Sequence, residues 1–138
     1  MTFGPTPPSI QVHICVKGAA DAIAFYEKAF GGVCAFKQMA RDGERVLHAK
    51  IELFGGEIMM HDEFPESGGD VLSPESRGGA SVAINVNLSD SIEVDASVAR
   101  AVTAGAGIIC GPGDMFWGAR YARIRDPFGH VWAFNAPL

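Results

Sequence analysis

The side chains in this sequence that could bind a metal ion or move a proton are four histidines and a few nearby carboxylates. His13 lies in an alternating segment, and His48 and Asp62 lie in segments expected to form neighbouring strands. Because divalent metals accept imidazole and carboxylate ligands, His13, His48 and Asp62 form one candidate metal set. A hydrogen-bonded or exposed role is the commoner outcome for each histidine. His61 is expected to point away from Asp62.

A second candidate group combines two aromatic rings with an arginine. Trp117, Arg120 and Tyr121 follow one another closely, next to glycine-rich sequence. Aromatic faces and a guanidinium group can together hold a planar or anionic ligand. The alternative is that Arg120 pairs with a local carboxylate, Asp114 or Asp126, and that the rings only anchor a loop.

Other kinds of chemistry are disfavoured by composition. The 138 residues include 16 acidic and 11 basic side chains, a net charge of −5, which argues against binding to nucleic acid. Three widely spaced cysteines without a CxxC pair are expected to be small apolar residues inside a cytoplasmic protein rather than zinc ligands. No apolar stretch is long enough for a membrane span, and Met1–Ser9 lacks the features of a signal peptide. Gly105-Ala106-Gly107 follows a helical pattern, whereas phosphate loops precede one.

Hydrophobic periodicity divides the chain into two halves with the same order of elements. In the first half, the alternating segment Ile10–Val16 precedes a helical stripe, Ala20–Phe30, which ends at a glycine pair. Three further strands are predicted at Val33–Met39, Val46–Phe54 and Glu57–Asp62.

The second half follows a polar linker at residues 64–79. A strand at Ser81–Leu88 and a helix at Glu93–Ala104 precede a short strand at Gly107–Cys110. The segment Gly111–Asp114 is expected to be a turn or loop. Two more strands, at Tyr121–Arg125 and His130–Asn135, complete the repeat.

The repeat predicts one α+β domain, residues 1–138, built from two βαβββ modules at about residues 9–63 and 80–137. Each helix would cover one face of a four-stranded sheet and leave the other face open. Paired curved sheets with the helices outside would then surround a partly polar central cavity. A small ligand is expected to bind in such a cavity.

Several motifs in these elements are specific enough to compare with known families. They read VKGAA at 16–20, AFYEKAFG at 24–31, LHA at 47–49, DMFWG at 114–118 and DPFGHVW at 126–132. From about Ser9 to Pro137 the chain resembles the vicinal oxygen chelate superfamily of glyoxalases, bleomycin- and fosfomycin-resistance proteins and extradiol dioxygenases. It is most similar to a glyoxalase-like subgroup often mislabelled as demethylubiquinone methyltransferases. The resemblance implies a homodimer.

The resemblance also indicates where a metal would be held. Metal-using members of the superfamily usually take one ligand from the first strand and one from the last strand of each module. Carried over by spacing, these positions are Gln11, Met60, Ser81 and Ala133. Met60 offers only a thioether and Ala133 has no donor atom, so the usual four-ligand site is not expected.

Three functions remain open. The first is binding of a small organic molecule in the cavity without a metal or other cofactor. The second is a metal-dependent lyase or dioxygenase-like enzyme, in which a divalent ion on His13, His48 and Asp62 polarises two substrate oxygens. The third is a dimer with a filled cavity that acts through other proteins. The residues expected to contact a ligand are Gln11, His13, Asp62, Asn85, Trp117, Arg120 and Tyr121.

Overall fold

The computed structural model describes residues 8–138, so most of Met1–Ser9 lies outside the described chain. The described part contains eight strands, three α-helices and a 3₁₀ turn at Pro65–Ser67. In chain order they are β1 (Val12–Val16), α1 (Ala19–Phe30), β2 (Val33–Met39), β3 (Val46–Leu53), β4 (Gly56–Asp62), α2 (Pro74–Arg77), β5 (Ala83–Asn87), α3 (Ser91–Thr103), β6 (Gly107–Met115), β7 (Ala119–Arg125) and β8 (Val131–Pro137).

The strands form two four-stranded sheets that repeat one topology. Sheet 1 has the order β1-β4-β3-β2 and sheet 2 the order β5-β8-β7-β6. In each sheet the first and last strands of the module are parallel, and the other pairs are antiparallel. The predicted α+β fold of two βαβββ modules is therefore confirmed, and the two sheets do not close into a barrel.

Helices α1 and α3 pack against each other, and each covers one face of its own sheet. The stripe predicted for α1 is its buried face, which includes Ile23, Tyr26 and Phe30. Gly31 ends this helix in the left-handed conformation, with φ of 65°, which a residue without a Cβ adopts at little cost. Asp21, Glu27 and Lys28 are exposed, so this helix lies on the outside of the molecule.

Aromatic side chains join the two modules beneath the helices. The Phe30 ring lies 4.9 Å from the Trp132 ring on β8 and 5.3 Å from Phe54. The hydroxyl of Tyr26 donates a 2.5 Å hydrogen bond to the buried carboxylate of Asp126, and the Trp132 indole donates to the same oxygen. The Asp126 carboxylate can be buried in this core because its oxygens accept hydrogen bonds from these donors.

The segment Gly111–Asp114 differs from its predicted turn. β6 continues through it to Met115, with register irregularities on either side of Cys110. β6 is an edge strand, and an edge tolerates a proline such as Pro112 because one row of its N–H groups needs no ladder partner. The chain reverses at Phe116–Gly118 instead.

The linker between the modules is tied to the end of the first one. The Glu63 carboxylate accepts hydrogen bonds from the Ser73 backbone N–H, the Ser73 hydroxyl and the Ser76 hydroxyl. Ser73 in turn caps α2 through the Ser76 N–H. Among the described residues, no helix has the length and apolar character that crossing a bilayer requires.

The three cysteines are free thiols; Cys15 is buried as predicted, whereas Cys34 and Cys110 are partly exposed. Burial raises the pKa of the Cys15 thiol to about 11, and the nearby carboxylates of Glu63 and Asp62 act in the same direction. The Cys15 thiol is therefore protonated at neutral pH. His130 Nε2 lies 2.7 Å from the Cys15 carbonyl oxygen and donates to it, a structural role for this histidine.

Candidate functional site

The uncovered face of sheet 1, the histidine face, carries three imidazoles. His13 comes from β1, His48 from β3 and His61 from β4. The His13 ring centroid lies 5.4 Å from that of His48 and 5.4 Å from that of His61. Phe36 on β2 packs 5.7 Å from His48 and extends the face. Strand alternation and register thus collect three titratable rings on one surface.

The environment of His13 on the histidine face favours its neutral form. Burial lowers the pKa of His13 from its ordinary value of 6.5, and the neighbouring His61 and His48 lower it further. His61 Nδ1 lies 2.7 Å from the Asp62 carbonyl oxygen and donates to it. In the neutral ring, His61 Nε2 is then an acceptor.

Asp62 does not share this face, contrary to prediction. Its side chain is buried, with one oxygen accepting from the Gly18 and Ala19 N–H groups and the other from the Val46 N–H. The carboxylate therefore caps the first turn of α1 and ties it to β3. Asp62 is adjacent to His61 in β4, so its side chain points to the opposite face of the sheet. The expected orientation of His61, away from Asp62, agrees with the structure.

Gln11, at the entrance to β1, points to the histidine face, but its amide donates to the Glu57 carboxylate. Lys50 Nζ lies 3.9 Å from another oxygen of Glu57. This polar group borders the three imidazoles, because Glu57 and His61 alternate along β4 on the same side. Both Gln11 and Glu57 already have partners within the chain.

The uncovered face of sheet 2, the amide face, carries asparagines and aromatic rings. The Asn85 side chain donates a 3.0 Å hydrogen bond to the Asn87 side chain on β5. The Trp117 indole N–H donates to the Asn135 side-chain oxygen at 3.2 Å, and Trp117 meets Tyr121 edge-on with ring centroids 5.6 Å apart. Asn85, Trp117 and Tyr121 thus lie on this face as polar and aromatic groups, and Asn87 and Asn135 extend it.

Arg120 lies on the helix side of sheet 2 and does not reach the amide face. Its guanidinium forms two hydrogen bonds to Asp95 of α3, at 2.7 and 2.9 Å, and a third to Asp114 at 2.9 Å. The predicted alternative, pairing with a local acid, therefore describes it. Arg120 therefore binds Asp95 and Asp114 together, and the group fixes α3 to the β6–β7 hairpin.

The arginine that the amide face does carry is Arg123. Its Nε and Nη2 groups donate to the Tyr121 hydroxyl at 3.0 and 2.8 Å. Sequence proximity suggested Arg120, but strand alternation in β7 places Tyr121 and Arg123 on one face and Arg120 on the other. The same alternation in β4 is the signal that groups His61 with Glu57.

The side chains at the four usual metal positions do not fit a metal ion. Met60 is fully buried on the helix side, Ala133 has no donor atom and Gln11 is bonded to Glu57. Ser81 is exposed and precedes β5. The shifted set fails because Asp62 faces away from His13 and His48. Among residues 8–138, no three His, Cys, Asp or Glu side chains are grouped so that they could hold a metal.

These features define a class of protein with two βαβββ modules and two polar sheet faces. The sequence matches the model of the Glyoxalase/Bleomycin resistance protein/Dioxygenase superfamily over residues 9–134. The chain therefore belongs to the glyoxalase/bleomycin resistance protein/dioxygenase superfamily, and the predicted resemblance is confirmed.

Two sequence relatives are similar along most of their length. Uncharacterized proteins of Mycobacterium bovis and Mycobacterium tuberculosis are each 38% identical over 132 residues, which cover 95% of this chain. Those residues cover 84% of the first relative and 75% of the second.

Two solved structures show the same fold. TioX from Micromonospora sp. ML1 is 26% identical, with a TM-score of 0.69 over 95% of this chain and 97% of TioX. The fosfomycin resistance protein FosX from Listeria monocytogenes, solved with Mn(II) and sulfate, is 16% identical. Its TM-score is 0.69 over 96% of this chain and 92% of FosX, a likeness of fold alone.

Proposed function

We propose that this protein binds a small organic molecule on the uncovered faces of its sheets, and that this binding needs no metal or other cofactor. The observation that carries the proposal is the composition of the two faces. The helix-covered sheet faces are mostly apolar, whereas the uncovered faces present imidazoles, amides, aromatic rings and a guanidinium. Polar groups placed among aromatic surfaces are typical of small-molecule sites. The assigned family, which includes resistance proteins by name, is consistent with such a role.

The residues proposed to contact the ligand are drawn from both faces. His13 lies on the histidine face, and Asn85, Trp117 and Tyr121 lie on the amide face. Gln11 borders the site through its bond to Glu57. Asp62 and Arg120 are left out, because each already satisfies a structural set of hydrogen bonds on the helix side.

Binding can be tested by NMR with a set of small planar aromatic fragments that are neutral, anionic or cationic, with a chelator present throughout. At least one charge class is expected to shift the Trp117 indole and His13 ring signals saturably. Trp117→Ala should weaken that binding by about tenfold or more, since burial of an aromatic contact contributes on the order of 1.5 kcal/mol. Ile92→Ala, at an exposed apolar residue of α3, is the matched control.

Two outcomes would contradict this proposal. In the first, fragments of no charge class bind at either uncovered face. In the second, binding appears only when the chelator is replaced by Zn, Ni, Mn or Fe, which would favour the metal-dependent enzyme instead.

The proposed binding protein is a cytoplasmic homodimer. Large apolar side chains are exposed next to the uncovered faces, including Phe36 at 48% exposure and Phe116 at 97%. A second copy that covers them would also shield a bound ligand from water. The three free thiols support a reducing compartment.

A further inference from the structure

The guanidinium of Arg123 lacks the carboxylate partners that other half-buried arginines of this chain have. Arg45 is paired with Asp42 and Glu66, and Arg120 with Asp95 and Asp114. Within the described chain no Asp or Glu oxygen lies within 4.0 Å of the Arg123 side chain. The chain has five more acidic than basic side chains, so the missing carboxylate partner of Arg123 does not reflect a general shortage of acidic residues.

Arg123 is nevertheless held in place. Its Nε and Nη2 groups both donate to the Tyr121 hydroxyl oxygen, and its carbon Cζ lies 5.8 Å from the centre of the Tyr121 ring. With both lone pairs of that oxygen engaged, the hydroxyl proton is directed away from the guanidinium. Nη1 carries further N–H donors. Arg123 and Tyr121 thus present adjacent donors, one of them on a cation.

The neighbours of Arg123 and Tyr121 are an aromatic ring and a small apolar side chain. Trp117 packs edge-on against Tyr121, is fixed by the Asn135 side chain and remains half exposed. On β8 the residue in register with Arg123 is Ala133, which is 2% exposed and has no polar side-chain atom. Trp117 and Arg123 both contact Tyr121, so a flat ring beside the exposed part of Trp117 can carry an anionic group toward Arg123.

We propose that Arg123 and Tyr121 bind the carboxylate of a planar aromatic ligand, whose ring packs on Trp117. The inference rests on the proposed function and adds the chemical class of the ligand. A planar guanidinium matches a carboxylate in shape as well as charge, and hydrogen bonds between charged groups are about twice as strong as neutral ones. The site selects anions although the protein itself is acidic.

The test compares 2-naphthoate with 2-naphthamide, which have the same ring system and differ in charge. We expect naphthoate to bind about tenfold or more tightly than naphthamide, as for a hydrogen bond to a charged group. Arg123→Gln should remove this preference by weakening the binding of naphthoate far more than that of naphthamide. Arg125→Gln removes a neighbouring exposed cation from the same strand and should preserve the preference.

Tyr121→Phe provides a second, independent variant, because it removes the hydroxyl and keeps the ring. It should lower the affinity for naphthoate several-fold and reduce its advantage over naphthamide. Equal binding of the two compounds by the unmodified protein would overturn the inference while leaving the proposed function intact. An unchanged preference in Arg123→Gln, or binding of neither compound, would also overturn it. The proposed function fails separately, when fragments of every charge class fail to bind.

Discussion

At the scale of single residues, the two imidazoles next to His13 on the histidine face disfavour its protonated form. His13 lies between His48 and His61, at 5.4 Å from each. Protonation of one ring raises the cost of protonating the next, because like charges repel at this distance. Partial burial of His13 adds to this cost. The neutral form of His13 is therefore favoured over its cation.

The first prediction concerns the pKa of His13. Because that pKa is lowered in the folded protein, the unfolded chain takes up the proton first as the pH falls below about 6.5. Protonation of His13 therefore lowers the free energy of unfolding as the solution becomes acidic. His61→Gln removes one neighbouring ring and should raise the His13 pKa toward its ordinary value without fully restoring it, since burial is the larger cause. NMR titration of the ring protons measures this.

Arg100→Gln, at an exposed position of α3, serves as the control for the titration. It removes a cation that does not adjoin His13 and should leave its pKa unchanged. A His13 pKa at or above 6.5 in the unmodified protein would refute the prediction. An unchanged value in His61→Gln would show that the neighbouring ring has no influence.

At the scale of elements, Asp62 shows how a carboxylate positions a helix. The N-cap residue of α1 is Gly18, which has no side chain to cap the first N–H groups. The Asp62 carboxylate accepts from Gly18 and Ala19 and also from Val46. It thereby joins the N-terminus of α1, the end of β4 and the start of β3, and its negative charge lies at the positive end of the helix dipole.

The second prediction is that Asp62→Asn destabilises the protein by about 1 to 3 kcal/mol, because its amide nitrogen cannot accept the backbone hydrogen bond that it replaces. Urea unfolding measures the change. Fragment binding by the folded variant should be unaltered, which separates a structural role from the predicted ligand contact.

Asp21→Asn alters an exposed carboxylate in the same helical turn and should change stability by no more than about 0.5 kcal/mol. If Asp62→Asn kept full stability but lost fragment binding, Asp62 would be a ligand-contacting residue after all.

At the scale of the whole molecule, the two modules meet through Tyr26, Asp126 and Trp132. This buried group joins a helix of the first module to the β7–β8 turn of the second. The same Asp126 side chain accepts from the backbone N–H groups of Phe128 and His130 and so shapes that turn. Burial raises the pKa of Tyr26 well above its ordinary value, with the Asp126 carboxylate acting in the same direction, so the hydroxyl remains a donor.

The third prediction concerns assembly. Sedimentation analysis should give a species of twice the 14.6 kDa chain mass. Phe116→Ser removes the most exposed large apolar side chain next to the amide face and should shift the equilibrium toward monomer.

Ile92→Ser removes an apolar side chain that is 74% exposed, but it lies on the outer helix α3 and should leave the dimer intact. A monomeric unmodified protein, or equal loss of the dimer in both variants, would contradict the proposed interface.

Much of the architecture could be predicted because local periodicity reflects backbone geometry. The helical stripe of α1 and the alternation of β1 follow from 3.6-residue and two-residue repeats. Both long helices begin within about two residues of their predicted starts. The turn predicted at Gly111–Asp114 was wrong, since edge-strand context overrides the local preference of glycine and proline.

The amino-acid sequence by itself determined the two modules, their order of elements and the family. It also determined which side chains alternate on each strand. Only the tertiary structure decided which of those sets faces a helix. Asp62 and Arg120 turned out to face the helices, whereas His61 and Arg123 lie on uncovered faces. The physical reason is that the partners of these side chains are distant along the chain: Gly18 is 44 residues from Asp62, and Asp95 is 25 residues from Arg120. Only strand register and helix docking bring each pair together.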